Sequence, residues 1–299
     1  METRRQQVSD TAGPCTEQAA PPERSVSPVD GGAAADVAAR AHWVPLWFGP
    51  ALLLASGGVY LLEQVLGEDW LHDAIEVGLG VSGNAGVRLV LAAVASLGDG
   101  YLAAVVVAAV LVWSRSANRR QTILLAVLAA SAVAPVIKAL IDRTRPYGGG
   151  HSWPSGHVTT VCTLALPLVG ASRRGEGTLV GASRGRDAAL LAIVLAVGAA
   201  RVLGLHHWPS DVVGGAGLAA VMVALLQRLP PVLPPALTSR RLGEVTLWSV
   251  FAFELWRMGQ DWPGRECVLT TAVLAFVLMA MLVGPAARSL AASPAGAPR

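Results

Sequence analysis

Six apolar stretches of near membrane-spanning length follow one another along the chain, separated by short polar loops. A helix needs about 20 mostly apolar residues to cross the roughly 30 Å hydrocarbon core of a bilayer. Only 14% of the residues are charged, against about 25% in ordinary soluble domains. The sequence therefore predicts an all-α, polytopic transmembrane helix bundle with a six-helix core, whose spans lie at about residues 43–62, 98–113, 121–142, 155–171, 188–205 and 211–226.

The polar and apolar patterns divide the chain into four segments. The two ends are charged or rich in Pro, Gly and Ala without an apolar period, which predicts disordered tails. Between the core and the C-terminal tail lies a Pro-rich linker followed by one or two additional membrane helices. The predicted segments are a tail at 1–40, the core at 41–230, the linker and C-terminal helices at 231–286, and a tail at 287–299.

Three stretches need separate comment. Residues 69–79 mix apolar and acidic side chains, which favours a helix lying along the membrane surface. Residues 267–283 are apolar enough to span. Residues 242–258 are apolar but interrupted by charges, so they form either a span, which we slightly favour, or an interfacial helix.

The loops sort the two sides of the membrane. Those after the second, fourth and sixth stretches are rich in arginine, whereas those after the first, third and fifth are acidic or carry few charges. Short arginine-rich loops stay in the cytoplasm. We therefore expect a multi-pass plasma-membrane protein with a cytoplasmic N-terminus, whose loops after the third and fifth stretches face the periplasmic or extracellular side.

Charge and cysteine content exclude several classes of function. The net charge is only +3 and the arginines are spread between the apolar stretches, so the basic cluster of a nucleic-acid-binding protein is missing. Cys15, Cys162 and Cys267 are far apart, which favours neither a disulfide framework nor a zinc site.

Lys138 is the only lysine among 23 basic residues, and it lies near the end of the third apolar stretch. Arg145 follows seven positions later and precedes Pro146. On a helix this spacing is two turns, or about 10 Å along the axis, and the proline disfavours helix at Arg145. The two cations either snorkel to the headgroups or bind an anion together, with a compact ammonium beside a planar guanidinium.

A second short motif, Pro154-Ser155-Gly156-His157, is predicted to open a helix, because proline suits the first turn. The amides of Ser155, Gly156 and His157 would then be free to bind an anion. Gly156 would let the oxygens approach the backbone closely. The alternative is an ordinary helix start, with Ser155 as the cap and His157 in the headgroup layer.

The third motif carries Arg201, His207 and Asp211. Residues four apart share one face of a helix, and a carboxylate that accepts the Nδ1 proton of a histidine leaves Nε2 free to attack. His206 stands five positions from Asp211 and is the poorer candidate. The alternative is a capped helix with two interfacial histidines. An arginine inside a membrane, such as Arg201, indicates a functional site by default.

The three motifs read K-x6-RP, PSGH and R-x5-H-x3-D in chain order. They resemble those of the type 2 phosphatidic acid phosphatase (PAP2) family of membrane phosphatases, over roughly residues 43–230. In that family the third-motif histidine attacks phosphorus to form a phosphohistidine, and the second-motif histidine protonates the leaving group. The resemblance implies that His207 is the nucleophile, Asp211 its orienting carboxylate and His157 the general acid. It implies that the phosphate ligands are Lys138, Arg145, Ser155, Gly156 and Arg201.

The resemblance also implies that no metal or other cofactor is needed. One position departs from the family pattern, since Ala200 stands where a serine often precedes the third-motif arginine. The missing hydroxyl is one neutral hydrogen bond, worth about 1 kcal/mol, so this change alone should not abolish activity.

We therefore expect a membrane lipid phosphatase that hydrolyses a phosphomonoester or pyrophosphate on a lipid. The candidate substrates are phosphatidic acid, phosphatidylglycerophosphate and polyprenyl pyrophosphate, and the expected partners are this lipid phosphate and the bilayer. Two alternatives stay open. One is a phosphotransferase that passes the group to an alcohol. The other is a non-catalytic membrane binding or transport protein, against which the intact His157, His207 and Asp211 argue.

Overall fold

The computed structural model describes residues 44–67, 69–81, 83–114, 116–146, 150–169, 180–230 and 232–258. Over these ranges the chain is helical and contains no strand, with one isolated antiparallel bridge between Thr144 and His151. The all-α fold class predicted from the sequence is confirmed. The helices are α1 Phe48–Leu66, α2 Trp70–Leu79, α3 Ala85–Ala95, α4 Gly100–Trp113, α5 Ala117–Ile141, α6 Gly156–Ala165, α7 Val180–Leu203, α8 Pro209–Leu226 and α9 Arg240–Met258.

Among the described helices, α1, α5 and α8 are long and apolar enough to cross a membrane. A fourth span is possible if α3, with the 3-10 turn Ser96–Gly98 that follows it, and α4 cross as one unit bent by 42°. Helix α3 was not predicted, because its apolar run of 11 residues is too short to cross a membrane by itself. The surface segment predicted at 69–79 is α2, which buries Leu71 and Ile75.

Helices α6, α7 and α9 do not meet the same criterion of length and hydropathy. Helix α6 ends at Ala165, which is earlier than expected, and its rise is about 15 Å. In α7 the apolar run between Asp187 and Arg201 rises only about 20 Å. Helix α9 packs against α4, with Leu247 buried against Val105 and Ala108, and it contains the charges that interrupted 242–258 in the sequence.

Helix α8 lies at the centre of the described bundle and contacts α1, α5, α6 and α7. Its glycines allow neighbouring backbones to approach closely. A Cβ on Gly217 would come within 2.9 Å of the Leu53 amide nitrogen on α1, and one on Gly215 within 2.7 Å of the Ser155 carbonyl before α6. Small residues at such contacts let helix backbones meet closely. This packing places the N-termini of α6 and α8 side by side.

A core cluster joins α6 to its neighbours. Val158, Val161 and Cys162 of α6 are buried against Val197 of α7 and Ala219 of α8. Short α6 is therefore held inside the described bundle, and its N-terminus is fixed relative to the ends of the longer helices.

Four predictions fall wholly or largely outside the described residues. These are the tail at 1–40, the possible span at 267–283, the tail at 287–299 and, of the loop joining the fourth and fifth stretches, residues 172–179. The rest of that loop was predicted wrongly, since residues 180–187 belong to α7.

Candidate active site

The N-termini of α6 and α8 are joined by a direct backbone hydrogen bond. The Ser155 amide donates to the Asp211 carbonyl at 3.0 Å. The prediction that the Ser155 amide would be free to bind an anion is therefore wrong, because it holds the two helix starts together. The next amides, those of Gly156 and His157, belong to the first turn of α6, where backbone N–H groups have no partner within the helix.

His207 and Asp211 form the pair predicted from their spacing. His207 lies in the corner before α8, and its Nδ1 is 3.3 Å from Oδ2 of Asp211 in the first turn. The same oxygen accepts the Trp208 amide at 2.8 Å, which caps the helix. Both partners are buried, with side chains 2% and 0% exposed. With Nδ1 directed at the carboxylate, Nε2 is the nitrogen available for attack.

The environment keeps both neighbouring histidines neutral. Burial is the main cause that lowers the pKa of His207, and the Arg201 and Lys138 charges add to it against the opposing hydrogen bond and charge of Asp211. The pKa of His206 is lowered to about 4, first by loss of hydration and then by Arg201 and Arg145. A neutral imidazole is the form in which a histidine can act as a nucleophile.

His157 pairs with a carboxylate that the sequence reasoning missed. Its Nε2 lies 2.8 Å from Oδ1 of Asp99, at the residue between the 3-10 turn and α4, and the two side chains are 27% and 28% exposed. The backbone is close here as well, because a Cβ on Gly98 would come within 2.7 Å of the His157 carbonyl. The acid candidate is thus held by a carboxylate, as His207 is, but in a more open place.

Two cavities meet at the His157–Asp99 pair. One, of about 330 Å³, is lined by Lys138, Gly156 and the pair. The other, of about 410 Å³, is lined by Arg201, His206 and the pair. A Cβ on Gly156 would meet nothing within 4 Å, so the backbone at the start of α6 opens directly into space beside Lys138.

The three predicted phosphate-binding cations lie close enough to act on the same groups. Lys138 interacts electrostatically with Arg145, Arg201 and Asp211. Helix α5 ends at Ile141, where Asp142 takes a left-handed conformation with φ 45°. The helix thus ends before Arg145, as Pro146 predicts, and the two residues are not two helical turns apart. Arg145 reaches the site from a loop instead.

The hydroxyl of Ser155 is buried and forms no hydrogen bond, and it does not cap α6. The alternative of an ordinary serine-capped helix start is thus not what the structure shows. The Nε atom of Arg145 is also buried without a hydrogen-bond partner. Buried polar groups of this kind usually find a partner, so each needs an explanation of its own.

Arg143 and Glu63 were also missed by the sequence reasoning. Arg143 contacts Asp211, and Glu63, one of the acidic residues that follow the first apolar stretch, is buried in the last turn of α1. A carboxylate at the end of an apolar span and a second arginine in the Asp142-Arg143-Thr144-Arg145 run were the available signals. Asp99 gave a weaker signal, as a lone acid between two apolar runs.

Within the part of the chain that the structure describes, no three or more His, Cys, Asp or Glu side chains come together as a metal-ligand set. The charged side chains that line the two cavities are three cations, Arg88, Lys138 and Arg201, and two carboxylates, Glu76 and Asp99.

Membrane-spanning helices and a histidine–carboxylate pair beside clustered cations are the features of an integral-membrane enzyme class. Comparison with known families agrees: residues 144–233 match the model of the PAP2 superfamily. The match includes Arg145-Pro146 of the first motif and all of the second and third, and over these residues the family resemblance is confirmed. Together with the apolar helices, it makes the chain a multi-pass membrane protein.

Other comparisons add little. A crystal structure of the "first transmembrane PAP2 type phosphatidylglycerolphosphate phosphatase from Bacillus subtilis" is 20% identical, with a TM-score of 0.49. The similarity covers 60% of this chain and 94% of that one, and it is too weak to assign roles to residues. No curated protein matches the chain.

Proposed function

We propose that the protein is a phosphatase that hydrolyses a phosphomonoester or pyrophosphate on a membrane lipid, with His207 as the nucleophile. The observation that supports this most is the buried His207–Asp211 pair beside a cluster of three cations. A carboxylate-oriented imidazole next to positive charge suits attack on a phosphoryl group.

In the first step, Nε2 of His207 attacks phosphorus and the bond from phosphorus to the leaving oxygen breaks. His157 donates a proton to that oxygen. Asp99 holds Nε2 of His157, which leaves Nδ1 as the nitrogen for proton transfer. In the second step, His157 takes a proton from water. The resulting hydroxide attacks the phosphohistidine, so phosphate leaves and His207 is restored.

The cations supply the charge stabilisation. Lys138, Arg145 and Arg201 neutralise the phosphoryl oxygens, and the Ser155 hydroxyl and the amides at Gly156 and His157 donate to them. This explains why Ser155 Oγ and Arg145 Nε are buried without other partners. Preorganised donors of this kind stabilise a charged transition state without a metal. We therefore propose that the reaction is metal-independent.

The length of α5 supports the proposed orientation. Arg119 and Arg120 lie in its first turn and Lys138 in its last. Arg119 and Lys138 are 19 positions apart on α5, a rise of about 28 Å, close to the roughly 30 Å hydrocarbon thickness. The arginine-rich end belongs in the cytoplasm. The site then faces the periplasmic or extracellular side, in reach of lipids in the outer leaflet of the plasma membrane.

The function is tested by phosphate release from the purified protein in detergent, against phosphatidic acid, phosphatidylglycerophosphate and polyprenyl pyrophosphate with EDTA present. We expect release from at least one of them, with oxygen from labelled water in the product. No release from any lipid phosphate would contradict the proposal. Label-free product with transfer to an alcohol would indicate a phosphotransferase, and rescue of lost activity by magnesium would contradict metal independence.

The orientation is tested by labelling single cysteines at the two ends of α5. In a background without the native cysteines, His151→Cys should react with an impermeant thiol reagent in intact cells, whereas Ala117→Cys should react only after lysis. Both positions are exposed. The opposite pattern would invert the membrane orientation.

A further inference from the structure

A buried network of charges lies behind His207. The Arg143 guanidinium bridges two carboxylates: one terminal nitrogen donates to Asp211 Oδ1 at 2.9 Å, and the other to Glu63 Oε2 at 2.7 Å. Glu63 comes from α1, Arg143 from the loop after α5, and Asp211 from α8. The side chains are 3%, 12% and 0% exposed, in that order.

The network fixes both oxygens of Asp211. Oδ2 faces His207 and accepts the Trp208 amide, and Oδ1 accepts from Arg143. The nitrogen of Arg143 that binds Oδ1 also donates to the Ser210 hydroxyl. A carboxylate held at both oxygens cannot rotate away from the imidazole that it orients.

Glu63 is itself fully engaged. Oε1 accepts the Ser210 amide at 2.9 Å, and Oε2 accepts the Ser210 hydroxyl at 2.6 Å as well as Arg143. Helix α1 is thus attached to the first turn of α8 through a carboxylate. A buried ion pair survives only when its remaining donors and acceptors are satisfied in this way.

Two aromatic rings, those of Tyr60 and Trp208, lie beside the Arg143 guanidinium. The Arg143 Cζ atom lies 4.7 Å from the centre of the Tyr60 ring and 5.3 Å from that of Trp208. A guanidinium can stack on aromatic rings while its fork binds two carboxylates, and an ammonium cannot reproduce that geometry.

Arg143 could instead be one more phosphate ligand, but its surroundings argue otherwise. Its terminal nitrogens are already engaged with Glu63, Ser210 and Asp211. It lines a different cavity, of about 550 Å³. The described lining of that cavity contains none of the residues that the proposed function places around phosphate or at the leaving group, which are Lys138, Arg145, Ser155, Gly156, His157 and Arg201.

We propose that Arg143 is a positioning residue, supported by Glu63, which holds Asp211 so that His207 keeps its Nδ1–H tautomer and presents Nε2 to the substrate. The effect of Arg143 on phosphate release rests on the proposed function. The effect of Arg143 on the tautomer of His207 does not depend on that function.

The kinetic experiment is a double-mutant cycle on phosphate release. Arg143→Gln should lower kcat by about 100-fold, the cost of a small misplacement of a reacting group, while KM changes little. In the Asp211→Asn background the same change should cost less than about twofold, because residues that act as one unit are not additive. Arg143→Lys should recover only part of the loss.

Glu63→Gln is the second variant, because it removes the outer end of the network with little change in volume. Its loss of kcat is expected to be smaller, about tenfold, and again absent in the Asp211→Asn background. Arg240→Gln is the matched control. It removes an exposed arginine–carboxylate contact to Glu244 on α9 and should leave kcat unchanged.

The second readout does not need turnover. In detergent-solubilised protein labelled with nitrogen-15 histidine, the His207 signal is assigned by its loss in His207→Asn. We expect the Nδ1–H tautomer in the wild type and in Arg240→Gln, and a mixture of tautomers in Arg143→Gln and Glu63→Gln.

The two readouts separate the two proposals. A wild type that releases no phosphate but shows the tautomer change in Arg143→Gln would overturn the proposed function and support the positioning role. Normal phosphate release with an unchanged tautomer, a raised KM for Arg143→Gln, or full additivity with Asp211→Asn would overturn the positioning role alone.

Discussion

His157 and His207 each face a carboxylate, yet their surroundings differ. His207 is 2% exposed, pairs with Asp211 four residues along the chain, and is supported by Arg143 behind that carboxylate. His157 is 27% exposed, lies between two cavities, and pairs with Asp99, which comes from a different part of the bundle.

The difference matches the two roles proposed for them. A nucleophile gains from a fixed position and a neutral ring, which burial supplies. A general acid and base must exchange protons with the leaving group and with water in every cycle, so it needs access to open space. The two histidines should therefore respond differently to mutation, leaving group and pH.

The largest effect is expected from the buried histidine. His207→Ala should lower kcat by about 10⁴-fold or more, since removal of a nucleophile leaves only binding and charge stabilisation. His206→Ala is the matched control and should retain most activity, because it is His207, not His206, whose Nδ1 faces Asp211 Oδ2. Phosphate-release kinetics decide between them, and the reverse pattern would assign the nucleophile to His206.

His157→Ala should cost about 10²- to 10⁴-fold, the usual contribution of general acid–base catalysis. Asp99→Asn should cost less, about tenfold, since the histidine remains. The leaving group of an aryl phosphate needs no proton. With such a substrate, His157→Ala should slow the first step much less, whereas His207→Ala should slow it as much as before. Burst kinetics of phenolate release measure this, and equal losses for both leaving groups would contradict the acid role.

Lys138→Arg tests whether Lys138 binds the phosphoryl group or only anchors the helix in the membrane. If Lys138 is only a membrane anchor, arginine should serve as well. If it binds a phosphoryl oxygen, the longer planar group fits badly. It then loses a charge-assisted bond worth roughly 1.5–3 kcal/mol. We expect kcat/KM to fall by at least about tenfold with normal expression, and a value within about twofold of wild type would make Lys138 an interfacial cation.

How much of this site the sequence could predict depended on the range of the contacts. Pro154 and Pro209 marked the starts of α6 and α8, and the spacing of His207 and Asp211 predicted their contact, because these are local effects. Glu63 and Arg143 are 80 positions apart. The apolar periodicity of a sequence does not predict which helix ends will lie next to each other.

The bundle was predictable to a similar degree. Apolar length located α1, α5 and α8, whereas α3 and the early end of α6 depend on how neighbouring helices cover short segments. The end of α5 before Arg145 follows from Pro146, a local effect, whereas the contacts that Arg143 makes with α1 and α8 from the following loop are tertiary.

The smallest effect is expected for pH. Because the pKa of His206 falls from 6.5 to about 4 in the fold, the unfolded chain binds more protons between these values. The stability that the folded protein gains from keeping His206 neutral is fully present above pH 6.5 and is lost as pH falls toward 4. The drop in Tm between about pH 7 and about pH 5 should be smaller in His206→Gln. The ring of His206 keeps part of its contact with solvent, so the change is modest, and an equal drop in both proteins would contradict it.

The most direct test of the account is to find where the phosphoryl group goes. Wild-type protein is mixed with lipid phosphate and quenched in alkali, which preserves phosphohistidine, and the peptide that holds His206 and His207 is fragmented in a mass spectrometer. The account predicts a phosphoryl group on His207, absent in His207→Ala and present in His206→Ala. A phosphoryl group on His206, or turnover with no phosphorylated histidine at any time point, would contradict it.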